Sequence, residues 1–217
     1  MMHPLLILGV GPHAAEMAQL VERINAAQPM WRLIGFVAPA GHRGHAAIAA
    51  TGLPVLGGAA VLSRHERCHL AFDHEFRDPI DVPRQRWATL IDPTAMVAHN
   101  ARLGAGCVVY PHAFIGADAQ IGDRLFMLAG AAINHDDHLG ENVTLCSGAT
   151  LAGSVNVGDN AYLGQACSVR QHVNIGRGSV VGMGAVVLKD VPAGSTVAGN
   201  PARLLTTHAR STRDGNF

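Results

Sequence analysis

Aromatic residues are scarce in this chain of 217 residues. They make up 5%, with two tryptophans and two tyrosines, so ring stacking cannot dominate a core. Charge is scarce as well, at 15%, and it balances to zero. Lysine is nearly missing: Lys189 stands alone among sixteen basic residues. A chain without charge bias has no field to draw nucleic acid or an anionic membrane, and neither is expected as a partner. No apolar run approaches the ~18 residues of a spanning helix, and the start, Met1-Met2-His3-Pro4, lacks the features of an export signal. The expected location is therefore cytoplasmic. The four cysteines (Cys68, Cys107, Cys146 and Cys167) have no CxxC spacing, so they read as reduced packing residues and no metal is expected.

What is present is glycine, 25 residues of it, and a 48% apolar content arranged with a fixed period. Every sixth residue from Val97 is aliphatic: Leu103, Val109, Ile115, Ile121, Met127, Ile133 and so on, unbroken to Val187. Four places after each of these stands a small or modest residue, from Ala101, Cys107, Ala113 and Ala119 through to Ala185 and Val191. A strict period of six is the signature of a hexapeptide β-helix, in which three hexads close one triangular turn of the coil. An ordinary β-sandwich has no reason for that period. The coil is expected to run for roughly five turns and to stand about 25 Å tall at a rung spacing of about 4.8 Å. In the known examples it winds left-handed, against the usual crossover rule.

The N-terminal segment follows other rules. Leu5-Leu6-Ile7-Leu8 reads as a buried strand, and Gly9-Val10-Gly11-Pro12-His13-Ala14 as a turn. Met17, Leu20, Val21 and Ile24 then carry a helical spacing. A second strand is predicted at 32–37 and a third at 69–72. Strand, glycine turn, helix and strand make a half-Rossmann unit. The turn has two readings: a ligand-binding loop, or a tight turn that packs the helix on the sheet. The expected fold class is an α/β half-Rossmann domain over residues 1–85 followed by an all-β left-handed parallel β-helix over 86–205. Residues 77–92 read as a connector and 206–217 as a flexible tail.

One hexad breaks the pattern. In Ile133-Asn134-His135-Asp136-Asp137-His138, His135 falls on an outward corner, and Gly153 lies eighteen residues on, directly above it. A histidine beside a glycine rung has an open shelf where a thioester carbonyl fits, with the Gly153 amide as oxyanion donor. Histidine, with an ordinary pKa of about 6.5, suits removal of a proton from an attacking amine or hydroxyl. Asp137 takes the inward place that other hexads give to small residues, so either its pKa is raised or the corner is distorted to reach His135. His138 reads as surface decoration.

The order of these parts resembles the bacterial sugar O/N-acetyltransferases of the sialic acid O-acetyltransferase type, which include enzymes acting on nucleotide-linked amino sugars for surface glycans. The residues that carry the likeness are 9–14, Ile34-Gly35-Phe36, Leu53-Pro54-Val55-Leu56-Gly57, Leu90-Ile91-Asp92-Pro93-Thr94-Ala95, Ile133-Asn134-His135-Asp136 and Gly199-Asn200-Pro201-Ala202-Arg203. The resemblance implies an acetyl-CoA-dependent N-acetyltransferase, with O-acetylation as the variant. It implies a homotrimer with CoA in grooves between coils, His135 as general base and Asp136 as its support. Thr144, Gly153, Gln165, Met183, Lys189 and Arg203 would line the CoA path, and Gly9, Gly11, Pro12, His13 and Asp73 the acceptor site. Gly199-Asn200-Pro201 has a second reading, as a cap on the coil.

Several positions depart from the family pattern. Thr144 stands where a histidine is common, Leu128 where an asparagine is, and Pro12 where the turn has a glycine. Ala38-Pro39 replaces an acidic pair that reads the nucleotide, and Phe72 replaces a glycine, which would narrow the pocket. Weak affinity for UDP-linked sugars is therefore expected. The alternative function is a non-catalytic trimeric β-helix that keeps the scaffold and binds a ligand or partner.

Overall fold

The computed structural model describes residues 2–42 and 46–206, so the expected tail from 207 onward lies outside the described residues. The chain divides into two compact units. One runs to Pro93 and includes Ala105–Val108; the other comprises Thr94–Gly104 and the chain from Val109.

The first unit is built on strands β1 (His3–Leu8), β2 (Trp31–Val37), β3 (Val55–Gly57) and β4 (His69–Phe72), with helix α1 (Pro12–Ala27) between the first two. The sheet order is β3-β2-β1-β4 and all pairings are parallel. Leu5 to Leu8 are fully buried, as expected of a central parallel strand covered on both faces. On α1 the buried residues are Ala14, Met17, Ala18, Leu20, Val21 and Ile24, the apolar stripe seen in the sequence. Pro12 starts the helix because its missing N–H costs nothing at the first helical position.

Two expectations need correction. The segment at 69–72 is the fourth strand, because β3 intervenes; β3 is too short for its periodicity to show. Gly35 admits it: a Cβ there would strike the Pro54 carbonyl oxygen, which accepts the Phe36 N–H at 3.0 Å. The stretch 77–92 is also more than a connector. It holds a 3-10 turn at Arg84–Arg86 and a strand at Leu90–Ile91. At its end the buried Asp92 is gripped by Arg23 through bonds of 2.6 and 3.1 Å.

The second unit is the β-helix. One face stacks Met96–Val97, Phe114–Ile115, Ala132–Ile133, Thr150–Leu151, Ser168–Val169 and Val186–Val187. The next stacks Arg102–Leu103, Gln120–Ile121, His138–Leu139, Asn156–Val157 and Asn174–Ile175. The third includes Phe126–Met127, Thr144–Leu145, Tyr162–Leu163 and Val180–Val181, and is finished by Thr196–Ala198 and an antiparallel Arg203–Thr206. Paired residues are eighteen apart, as in Ala132 with Thr150 and His138 with Asn156. The aliphatic series from Val109 to Val187 is buried, and each such side chain contributes about 1.5–3 kcal/mol on leaving water. Val97 and Leu103, on the first rung, are only half-buried.

Corners turn through residues with positive φ at the same place in each rung. Asp118, Asp136, Ser154 and His172 do so on one edge, with φ of 58, 60, 62 and 62°. The register ends sooner than the sequence suggested. Val191, counted with the small series, bridges Ile175 and so takes an aliphatic place; the last crossing is two residues short. All four cysteines are free and buried. Burial pushes the Cys167 thiol up to about 12, which suits packing rather than reactivity.

Candidate active site

Residues 134–137 form a corner between the first and second faces, and 152–155 form the corner one rung up. Ser154 donates its N–H to the His135 carbonyl at 3.0 Å, which fixes the two rungs together. The His135 ring lies over Gly153: a Cβ at that glycine would come within 2.5 to 2.6 Å of the imidazole carbon and Nε2. A side chain at 153 would displace the ring from this place. His135 Nδ1 is 2.8 Å from Asp136 Oδ2, which leaves Nε2 as the ring nitrogen not engaged by this aspartate. Both side chains are exposed. Asp136 adopts the left-handed corner conformation, which aspartate tolerates better than most residues.

Asp137 is fully buried and does not reach His135 by distorting the corner. Its Oδ2 accepts the Asn134 N–H at 2.8 Å and its Oδ1 the Val155 N–H at 2.8 Å. Burial pushes its carboxyl up to about 6, against the two amide bonds and the nearby His135 and His138, which lower it. His138 is exposed, and its Nδ1 lies 3.0 Å from the Asp136 carbonyl oxygen. The expected surface histidine therefore belongs to this corner.

The predicted CoA residues fall in separate places. Gly153 stands above His135, and Lys189 lies at the same edge of the coil, in the shortened last crossing. Gln165 and Met183 occupy a different edge, between the third and first faces, where Gly184 donates to the Gln165 carbonyl. Thr144 is buried on the third face between Phe126 and Tyr162. Arg203 begins the closing strand and is exposed. A single chain thus brings His135, Asp136 and Gly153 together but leaves Thr144, Gln165 and Met183 on other sides of the prism. Gly199 and Ala202 both bond Val186, so 199–202 folds back on the coil as a cap.

In the first unit the predicted acceptor residues do assemble. A Cβ at Gly9 would meet Asp73 Oδ2 at 2.6 Å, so that glycine makes room for the buried carboxylate. Gly11 caps α1 and Pro12 opens it; His13 follows, with Nδ1 3.7 Å from Glu75. Asp73 Oδ1 accepts the Glu75 N–H at 3.0 Å and is 3.4 Å from His74 Nδ1. His74, which also fits the family pattern after this strand, brings its ring to that of His13 at 4.6 Å, and the sequence reading missed Glu75 beside them. His13, His74 and Glu75 hold ligand-type atoms within 4.8 Å of one another. They stand at the positive end of α1, which favours an anion over a cation. Phe72 does not narrow this site. It packs on the core with Trp87, ring centres 6.3 Å apart. A surface cavity of about 550 Å³ lined by Arg32, Arg64 and Arg67 opens at the other end of the sheet, away from the strand ends where ligands collect. Among the described residues no helix is long and apolar enough to cross a membrane.

Comparison with known proteins agrees with this layout. The hexapeptide-repeat model of succinyl-transferase matches residues 154–189. No curated protein matches by sequence. The acetyltransferase domain of PglB from Neisseria gonorrhoeae, solved with acetyl coenzyme A, is 27% identical over 94% of this chain and 100% of its own, with a TM-score of 0.78. PerB from Caulobacter crescentus, solved with CoA and GDP-perosamine, is 28% identical over 95% of this chain and 99% of its own, with a TM-score of 0.76. WeeI from Acinetobacter baumannii, at 24% identity and a TM-score of 0.74, shares the fold. By its repeat, its coil and its whole-chain likeness, this chain is similar to hexapeptide-repeat, β-helix sugar N-acetyltransferases, which supports its being an N-acetyltransferase.

Proposed function

We propose that the protein transfers the acetyl group of acetyl-CoA to the amine of a nucleotide-linked amino sugar used in bacterial surface glycans, with His135 as general base. The observation that carries this reading is the His135 ring lying over Gly153 with Nδ1 held by Asp136. As the amine attacks the thioester carbonyl, a C–N bond forms and Nε2 of His135 takes the amine proton. The Gly153 N–H donates to the developing oxyanion. When the C–S bond breaks, the imidazolium returns its proton to the CoA thiolate. Asp136 stabilises the imidazolium in between.

The first unit, read as a Rossmann-like domain, supplies acceptor recognition. The α1 N-terminus and His13 offer donors to phosphate or sugar hydroxyls. Gly153 and Lys189 on one edge of the coil, and Thr144, Gln165, Met183 and Arg203 elsewhere, line one CoA groove when copies of the coil pack side by side. That packing makes a homotrimer. The PglB and PerB structures, holding acetyl-CoA or CoA, support the donor, and GDP-perosamine in PerB supports a nucleotide-linked acceptor.

The test is thiol release from acetyl-CoA with amino sugars linked to UDP, dTDP, GDP and CDP. Ala38-Pro39 in place of an acidic pair leads us to expect poor turnover with UDP sugars and better turnover with another nucleotide. No thiol release with any amine acceptor would sink the reading, and tight UDP binding by calorimetry would overturn its acceptor half.

A further inference from the structure

The corner that carries His135 is wired differently from its neighbours. At other corners the first residue's N–H joins the ladder to the carbonyl seventeen residues on, as Gly116 does to Ile133 and Ala152 to Val169. At many corners the fourth residue's N–H closes the turn on the first residue's carbonyl, as Ala131 does on Leu128, Ala149 on Cys146 and, on this same edge, Ala119 on Gly116. The first habit changes at 134–137 and the second at 152–155, one rung up. The Asn134 N–H goes to Asp137 Oδ2, and the Leu151 carbonyl, its ladder acceptor by register, receives the Asn134 side-chain amide instead. The Val155 N–H, which by register would close the turn above on Ala152, goes to Asp137 Oδ1.

Two side chains have thus been inserted between the rung of His135 and the rung of Gly153. The pattern has a structural cost. The inward place of the repeat takes alanine at 119, 131 and 149, and a buried carboxylate there is disfavoured. A coil needing only stability has no use for it. We propose that Asn134 and Asp137 are positioning residues that together hold the two rungs in the register placing the His135 ring over Gly153, with the Asp137 carboxylate adding to the support of the imidazolium.

This rests on the reading of His135 as the base. The titratable groups acting on Asp137 among the described residues are His135 and His138, both on its own rung; the rungs below and above present Ala119 and Val155 by register. An anionic Asp137 lies near both imidazoles, so its charge adds to the field that stabilises an imidazolium as the tetrahedral intermediate forms.

The decisive variant is Asp137→Ala, because alanine is what the repeat carries at this place and the ordinary ladder can re-form around it. We expect melting temperature to be unchanged or raised while kcat falls about 10- to 100-fold, the scale of a misplaced catalytic group. KM for acetyl-CoA should stay within about threefold, and the acid limb of the kcat/KM profile should move to lower pH. Asn134→Ala should lose a similar factor, with the double variant no worse than either single one. A folded Asp137→Ala enzyme with native kcat and an unmoved pH profile overturns the proposal. Loss of folding in both Asp137→Ala and Asp137→Asn also overturns it, by assigning the residue to structure alone. His135→Ala measured in parallel separates the two readings. If His135→Ala stays active, the base reading fails and this proposal with it. If it is inactive while Asp137→Ala is fully active, only this proposal falls.

Discussion

Three consecutive residues, His135, Asp136 and Asp137, carry different kinds of chemistry at one corner. His135→Ala should lower turnover by at least about 10²-fold, the usual scale for a general base, while acetyl-CoA binding persists in calorimetry. Asp136→Asn should cost less, since asparagine also tolerates the left-handed corner and leaves the base in place. Asp137 makes stability depend on pH. Its folded-state value of about 6 is raised above the ordinary 3.8, so its contribution is fully present below about pH 4 and is lost as pH rises through 6. The loss is on the order of 3 kcal/mol. Urea unfolding between pH 4 and 7 should show this decline in the native protein and not in Asp137→Ala. His135 and Asp136 were legible in the motif, and Gly153 by counting eighteen residues on. The exchange of hydrogen bonds around Asn134 was not, because only the placed backbone reveals which donor each carbonyl receives.

Strands and corners repeat the lesson one level up. The hexads announce the coil because the same inward slot recurs on every rung, and a slot of constant size selects residues of constant kind. The short strand β3 has no such repetition, and its place depends on one contact in space, that of Gly35 with Pro54. Gly35→Ala should push β3 away from β2 and cost about 1–3 kcal/mol, read as a lowered melting temperature with the β-helix signal retained. The shortened last crossing escaped sequence reading for a related reason. Val191 fits either series by type, and only its bridge to Ile175 shows which slot it fills.

For the whole molecule, the separation of the predicted CoA residues is informative. His135 and Gly153 share one edge of the prism, whereas Gln165 and Met183 share another. The proposed CoA groove, if it contains all of them, needs two coils, and the proposed homotrimer supplies such a groove at each interface. Met183, 78% exposed, is an apolar side chain consistent with such a covered edge. Light scattering at micromolar concentration should report three times the mass of the 22.7 kDa chain. A monomeric mass with full activity would show that the groove is built otherwise.

The sequence by itself determined the coil, its length to within a rung, the outward corner of His135 and the glycine above it. Each of these follows from a period, and a period survives without coordinates because every rung repeats the same steric demand. Tertiary structure alone decided the rest. It brought His74 and Glu75 to the turn at Gly9–His13 and set Phe72 against Trp87. It also gave the buried Asp137 two amide partners on successive rungs. Those outcomes depend on which groups meet after the chain closes, and hydrogen bonds and steric contacts between residues distant in sequence leave no periodic trace.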